Sequence, residues 1–275
     1  MPLSTAAPGL ESDIRGAFQT SKDNGSKDGA VSDTVILGLS VDLSVAMNTY
    51  ASQALVKTDV SVPPGQSDAP GLGITQSEGK GSGIGSIVLI PVPLQLGIES
   101  AFKRARDAGT KDSADSDSIV RDLSSDLTDR YKEFLEAGIV NTQDTILPGQ
   151  TSLASNPALS QPVGSYTSPQ SGVGVGTVKM PADGTSKCKS DIEKAFKKSR
   201  DEGKSDGADS DKIIADLATD LKDAIDVYTK SARVETNDQI FGGASVVGYL
   251  TLPPALAPLP SFSLPSAGNG KGQLT

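Results

Sequence analysis

The feature that most constrains this chain is one sentence written twice. GIESAFKRARDAGTKDSADSDSIVRDLSSDL begins at Gly97, and SDIEKAFKKSRDEGKSDGADSDKIIADLATDL begins at Ser190. Residues 98–150 align without a gap to residues 192–244, with 24 of 53 positions identical. Moving back by 84 positions finds a third, more diverged copy at 14–66. A unit repeated at this spacing cannot bury its apolar face alone and must close it against its neighbours. The sequence therefore divides into segments 1–89, 90–180 and 181–275.

Each segment reads alike. A short helix is predicted from an i, i+4 apolar pair: Ile14/Phe18, Ile98/Phe102 and Ile192/Phe196. A polar loop follows, with Gly25, Gly109 and Gly203 placed as helix stops. The second helix is longer and amphipathic. Its expected core face holds Leu39, Leu43 and Tyr50 in the first copy. Leu123, Leu127 and Phe134 take these places in the second, and Leu217, Leu221 and Tyr228 in the third. Phe18, Phe102 and Phe196 are expected to lock the first helix of each segment to the second. A period-two run then predicts a half-buried strand: Val56-x-Thr58-x-Val60-x-Val62, Val140-x-Thr142-x-Asp144-x-Ile146 and Val234-x-Thr236-x-Asp238-x-Ile240. The segments close on GSGIGSI, GVGVGTV and GNGKGQL, expected as close backbone packing or a strand edge. The fold class that follows is α+β: three tandem copies of a helix–loop–helix plus short β-strand module, with extended Gly/Pro-rich tails. A tail such as 252–265 is expected to lie extended along a neighbour.

Chemistry is sparse. Histidine is absent, which removes the usual general base and the commonest metal ligand. The lone Cys188 is expected as an incidental thiol in a linker. Three acidic loops begin at Asp23, Asp107 and Asp201, but glycine takes the third place of what would be a calcium loop. Helix capping is the better reading, by Ser32/Asp33, Ser116/Asp117 and Ser210/Asp211. Lys103, Arg104, Arg106, Lys194, Lys197, Lys198 and Arg200 form a basic helix face, expected to be solvated. Asp42, Asp126 and Asp220 mark the polar side of the second helix, with no base converging on them. The expectation is no catalytic, cofactor-binding or metal site. A net charge of −9 repels phosphate backbones, so nucleic acid is not an expected partner. The start, MPLSTAAPGLESDIRG, lacks a basic n-region and an apolar h-region, and the run 86–97 is short and broken by Pro91 and Pro93. Neither a signal peptide nor a membrane segment is expected.

Taken together, the helix at 211–232, the run at 234–240, the Pro-Gly-Gln turns at 64–66 and 148–150 and the Gly-alternating end at 268–274 resemble small virion structural proteins of tailed phages. The contractile-tailed, T4-like phages are the nearest comparison, their proteins being one module long. The resemblance implies a structural part of the virion, made in the host cytoplasm, with other virion structural proteins as partners. It also implies pseudo-threefold self-packing, because a triplicated chain can stand where a one-module protein forms a trimer. Its place could be tail, neck, baseplate or capsid decoration. A bacterial surface or secreted repeat protein and a calcium-responsive binding module are the alternatives.

Overall fold

The computed structural model describes residues 2–62, 79–147, 163–166, 170–241, 244–248, 260–262 and 266–275. Among the described residues the order is α1 (Leu3–Gly25), α2 (Ser32–Ser52), β1 (Leu55–Val62), β2 (Gly79–Val88), α3 (Val92–Gly109), α4 (Ser116–Glu136), β3 (Ile139–Leu147), β4 (Val163–Tyr166), β5 (Gln170–Lys179), α5 (Ala182–Gly203), α6 (Ser210–Lys230), β6 (Arg233–Phe241), β7 (Ala244–Gly248), β8 (Pro260–Phe262) and β9 (Ser266–Leu274). The molecule is thus mixed helix and strand, as expected. Helix, helix, strand, strand runs three times along it, with β4, β7 and β8 interposed.

The first helix of each pair is longer than the i, i+4 pair suggested, at 23, 18 and 22 residues for α1, α3 and α5. The apolar phase extends upstream: Leu3, Ala6 and Leu10 continue the buried stripe of Ile14 on α1, and Leu94 precedes Ile98 on α3. Pro93 lies in the first turn of α3, where its missing N–H removes no helical bond. Within each pair the helices pack together, and α2 also packs on α3, α4 on α5 and α6 on α1, so the six close into a ring. Helix α2 has the length and composition to cross a membrane, but here it forms one wall of that ring.

The expected core is largely where the spacing put it. Ile14, Leu39, Leu43, Tyr50, Ile98, Leu123, Leu127, Phe134, Ile192, Leu217, Leu221 and Tyr228 are all buried in one continuous cluster. The three phenylalanines need correction. Phe18, Phe102 and Phe196 are only partly buried, and Phe196 meets each of the other two across segments. The Phe196 ring lies 6.5 Å from Phe18 and 6.5 Å from Phe102, both edge-on. They join the three first helices to each other, because the ring of helices turns this position toward its centre.

A strand begins within three residues of the end of each second helix. Six strands form a closed barrel, β1-β2-β3-β5-β6-β9, antiparallel throughout. The first and last strands close it, and Leu55 and Thr275 exchange backbone bonds of 3.0 and 2.9 Å. The Gly-alternating ends are whole strands, β2, β5 and β9. A barrel this narrow cannot hold inward side chains from all six strands. At Gly85 a Cβ would come 1.9 Å from the Asn141 carbonyl oxygen, and at Gly272 1.8 Å from that of Lys57. Both are too close for any side chain. The Pro-Gly-Gln turns at 64–66 and 148–150 lie outside the described residues, as does most of the 252–265 tail. Of that tail β8 pairs with β7, which pairs with β4.

Candidate functional site

The strands alternate as the period-two runs predicted, and the alternation puts polar groups inside. Val56, Val140 and Val234 line the barrel next to the helices and belong to the main core. One step further in phase come Thr58, Thr142 and Thr236, and the next step brings Val60, Asp144 and Asp238. All of these are buried, with 2–3% exposure for the three threonines and two aspartates. Each threonine is flanked by glycine on both sides: Thr58 by Gly83 and Gly272, Thr142 by Gly85 and Gly174, Thr236 by Gly176 and Gly270. The glycines make the room. A Cβ on Gly83 would sit 2.2 Å from Asp144 Oδ1 and 2.3 Å from Thr58 Oγ1. On Gly174 it would sit 2.2 Å from Asp238 Oδ1 and 2.3 Å from Thr142 Oγ1. Each pair of oxygens therefore borders one small space, and the arrangement recurs around the barrel.

The compartment is polar, enclosed and unneutralised. Val60, level with the two aspartates, forms a separate apolar cluster with Ile146, which lies one step further from the helices. The side-chain oxygens of Thr58, Thr142, Thr236, Asp144 and Asp238 make no hydrogen bond of good geometry among the described residues. The Thr142 hydroxyl is nevertheless near enough to act on Asp144, and that of Thr236 on Asp238. The nearby cations Lys57, Lys80, Lys179, Arg233 and Lys271 all stand exposed on the outside of the barrel. Burial pushes the Asp144 carboxyl above the ordinary range, opposed by the Thr142 hydroxyl and reinforced by the charge of Asp238. Burial raises Asp238 likewise, against the Thr236 hydroxyl. Such groups are costly unless something satisfies them.

The expected caps are displaced by one residue. Ser32, Ser116 and Ser210 are the first helical residues, and Asp115 and Asp209 do the capping, accepting from the backbone N–H of Asp117 and Asp211 at 3.0 Å. Val31 takes that place before α2 and offers no side-chain cap. The Ser/Asp pairs serve a different purpose. Lys22 donates to Ser210 (3.3 Å) and Asp211 (2.5 Å), Arg106 to Ser32 (3.0 Å) and Asp33, and Arg200 to Ser116 (3.0 Å) and Asp117 (2.5 Å). Each clamp reaches from the end of one segment's first helix to the start of a neighbour's second. The basic face is correspondingly engaged, with Arg104 on Asp126 (2.7 Å) and Lys198 on Asp220 (2.8 Å). Among the described residues no three His, Cys, Asp or Glu side chains gather as a metal cluster, the acidic loops included. Cys188 is not in a linker: it is buried in α5, and burial pushes its thiol up to about 12.

One seam of the helical ring differs in its surface. Ser125 of α4 accepts a bond from Lys189 of α5 (2.8 Å), and Thr219 of α6 donates to Glu11 of α1 (3.2 Å). The matching residue of α2 is Val41, which is exposed with Leu37 and Val45 along one stripe. Asp129 and Asp223 stand where Val45 does. Leu96 and Val92 at the start of α3 are exposed as well.

Compared with protein-family models, curated proteins and solved structures, the chain matches none. The polar compartment went unrecognised in the sequence although its signal was there. Threonine and aspartate fall in phase with the valines and isoleucines that mark the buried face, and the Gly-alternating strands supply the facing gaps.

Proposed function

We propose that this chain is a non-enzymatic structural subunit of a tailed-phage virion, built as three tandem copies of one helix–loop–helix and β-strand module. It stands where a one-module protein would form a trimer, in the tail, neck or baseplate or as a capsid decoration, and docks onto neighbouring virion proteins. The observation that carries this reading is the threefold-repeated clamp of Lys22, Arg106 and Arg200, each joining one segment to the next around a closed ring. The contact of Phe196 with both Phe18 and Phe102, one from each segment, supports the same arrangement. Fusing three units raises the effective concentration at which the second and third dock. It also frees each copy to change its surface alone, and the apolar stripe Leu37, Val41 and Val45 is such a change.

The test is immunogold labelling of purified phage from the source lysate, with mass spectrometry of the same particles. Gold on the head makes the protein a capsid decoration, and gold at the neck or tail end makes it a connector or baseplate part. Absence of the chain from the particles overturns the reading in favour of a surface or secreted repeat protein. Replacing Val41 and Val45 with Asp should leave melting unchanged while reducing incorporation into particles. Normal incorporation would remove the stripe from the docking role.

A further inference from the structure

We propose that the barrel compartment ringed by Asp144, Asp238, Thr58, Thr142 and Thr236 binds one hard divalent cation of the calcium type. Three observations lead there. The donors are all oxygen, which selects hard cations over zinc or copper. Four carboxylate and three hydroxyl oxygens lie buried inside the barrel with no hydrogen bond among the described residues, a number within the six to eight that calcium accepts in irregular geometry. Two carboxylates with no cationic side chain beside them balance one divalent charge. The position that would supply a third acid is Val60, opposite Gly81 and Gly270. With three acids the compartment would be overcharged for one such ion, and valine there restores the match. Magnesium fits less well, because it demands near-octahedral geometry and keeps several waters, whereas the oxygens here are buried side-chain groups held on strands.

An enclosed site loads most readily during folding, so the experiment refolds the full chain from denaturant. Refolding is done in a chelator, in calcium chloride or in magnesium chloride, followed by thermal melting and elemental analysis of the gel-filtered protein. With calcium about a hundred times its dissociation constant, the melting temperature should rise on the order of 5 °C over the chelator sample. One calcium per chain should be retained. The double substitution Asp144→Asn and Asp238→Asn should abolish both the shift and the retained ion. Should that variant fail to fold, Thr142→Val should lower calcium affinity about tenfold, as loss of one polar contact worth RT ln 10. Equal melting in all three solutions with no ion retained would overturn the proposal. So would a shift that survives in the Asn variant, which would place the ion in the acidic loops, and so would a response to magnesium alone.

Discussion

Two interiors lie along the axis of this molecule, and they are built on opposite principles. Inside the helical ring the residues are large and apolar, and the polar groups that enter are satisfied. The Tyr131 hydroxyl lies 2.8 Å from Thr229 Oγ1, and that of Tyr228 lies 2.9 Å from Thr185 Oγ1. Inside the barrel the walls are half glycine, and the polar groups make no hydrogen bond of good geometry among the described residues. The difference teaches what the Gly-alternating strands are for. They do not weaken the sheet by accident; they thin three walls so that the other three can turn threonine and aspartate inward. Glycine substitutions break this comparison most sharply. Gly272→Ala sets a Cβ against the Lys57 carbonyl, a backbone group that cannot rotate away, and should cost about 3 kcal/mol or more. Gly38→Ala, exposed on α2 with nothing within 4 Å, should instead stabilise by about 0.5–1 kcal/mol. Denaturant midpoints of the two variants check both signs. A mild effect at Gly272 would mean that the barrel is wider than described.

The apolar interior has its own graded test. Phe196 lies edge-on to both of the other phenylalanines, whereas Phe18 and Phe102 each pair with Phe196 alone. Because the three are partly exposed, Phe196→Ala should cost about 2–3 kcal/mol rather than the larger loss of a fully buried ring. Phe18→Ala and Phe102→Ala should each cost about 1 kcal/mol less. Equal losses at all three positions would mean that each ring stabilises its own helix pair, as the sequence spacing alone suggested.

That contrast also locates what the sequence could reveal. Helices, three of the six barrel strands (β1, β3 and β6) and twelve core residues were legible because period 3.6 and period 2 record burial directly, whereas the Gly-alternating ends did not read as whole strands. The partners of the legible faces were hidden too. An i, i+4 pair says that Phe18 faces inward, but not whether it meets α2 or another phenylalanine, since that depends on ring closure between distant segments. In the same way Ser32/Asp33 read as a cap from local chemistry, yet its partner is Arg106, 73 residues from Asp33. Asp144 and Asp238 were read as members of an alternating strand, correctly. Their role needed the register that sets Gly83 and Gly174 beside them.

The loops between paired helices give a smaller, cleaner prediction. Gly29 and Gly207 occupy matching positions with φ of 75° and 74°, and the equivalent residue of the second segment is Ser113, at φ 61°. A side chain is disfavoured in that conformation. Ser113→Gly should therefore stabilise by about 0.5–1 kcal/mol, less than the native strain because glycine also loosens the unfolded chain. A calorimetric comparison checks the sign. Destabilisation would show that the Ser113 hydroxyl, which donates to the Asp112 carbonyl at 2.6 Å, outweighs the strain.

The clamps should yield the smallest effect, and its size should differ from seam to seam. Hydrogen bonds and charge from Arg106 hold the Asp33 carboxyl below its ordinary range. Asp117 is lowered first by Arg200, and Asp211 by Lys22. A carboxylate lowered in the folded state binds fewer protons there than when unfolded. Its contribution is therefore present above the ordinary carboxylate range and lost as pH falls through the depressed value. All three pairs are open to solvent, so salt should weaken them too. The seams are nevertheless unequal. Arg106 and Arg200 present planar forks that also hold Asp107 and Asp201, while Lys22 offers a single ammonium. The Lys22 clamp spans the first and last segments, which no connecting loop joins directly. Lys22→Arg should thus raise the melting temperature slightly at neutral pH, with the gain shrinking below pH 4 and in high salt. Lys22→Ala should lower it, more than Arg106→Ala does at the loop-tethered seam. If Arg106→Ala proves the costlier change, fork geometry matters more at these seams than the missing chain connection.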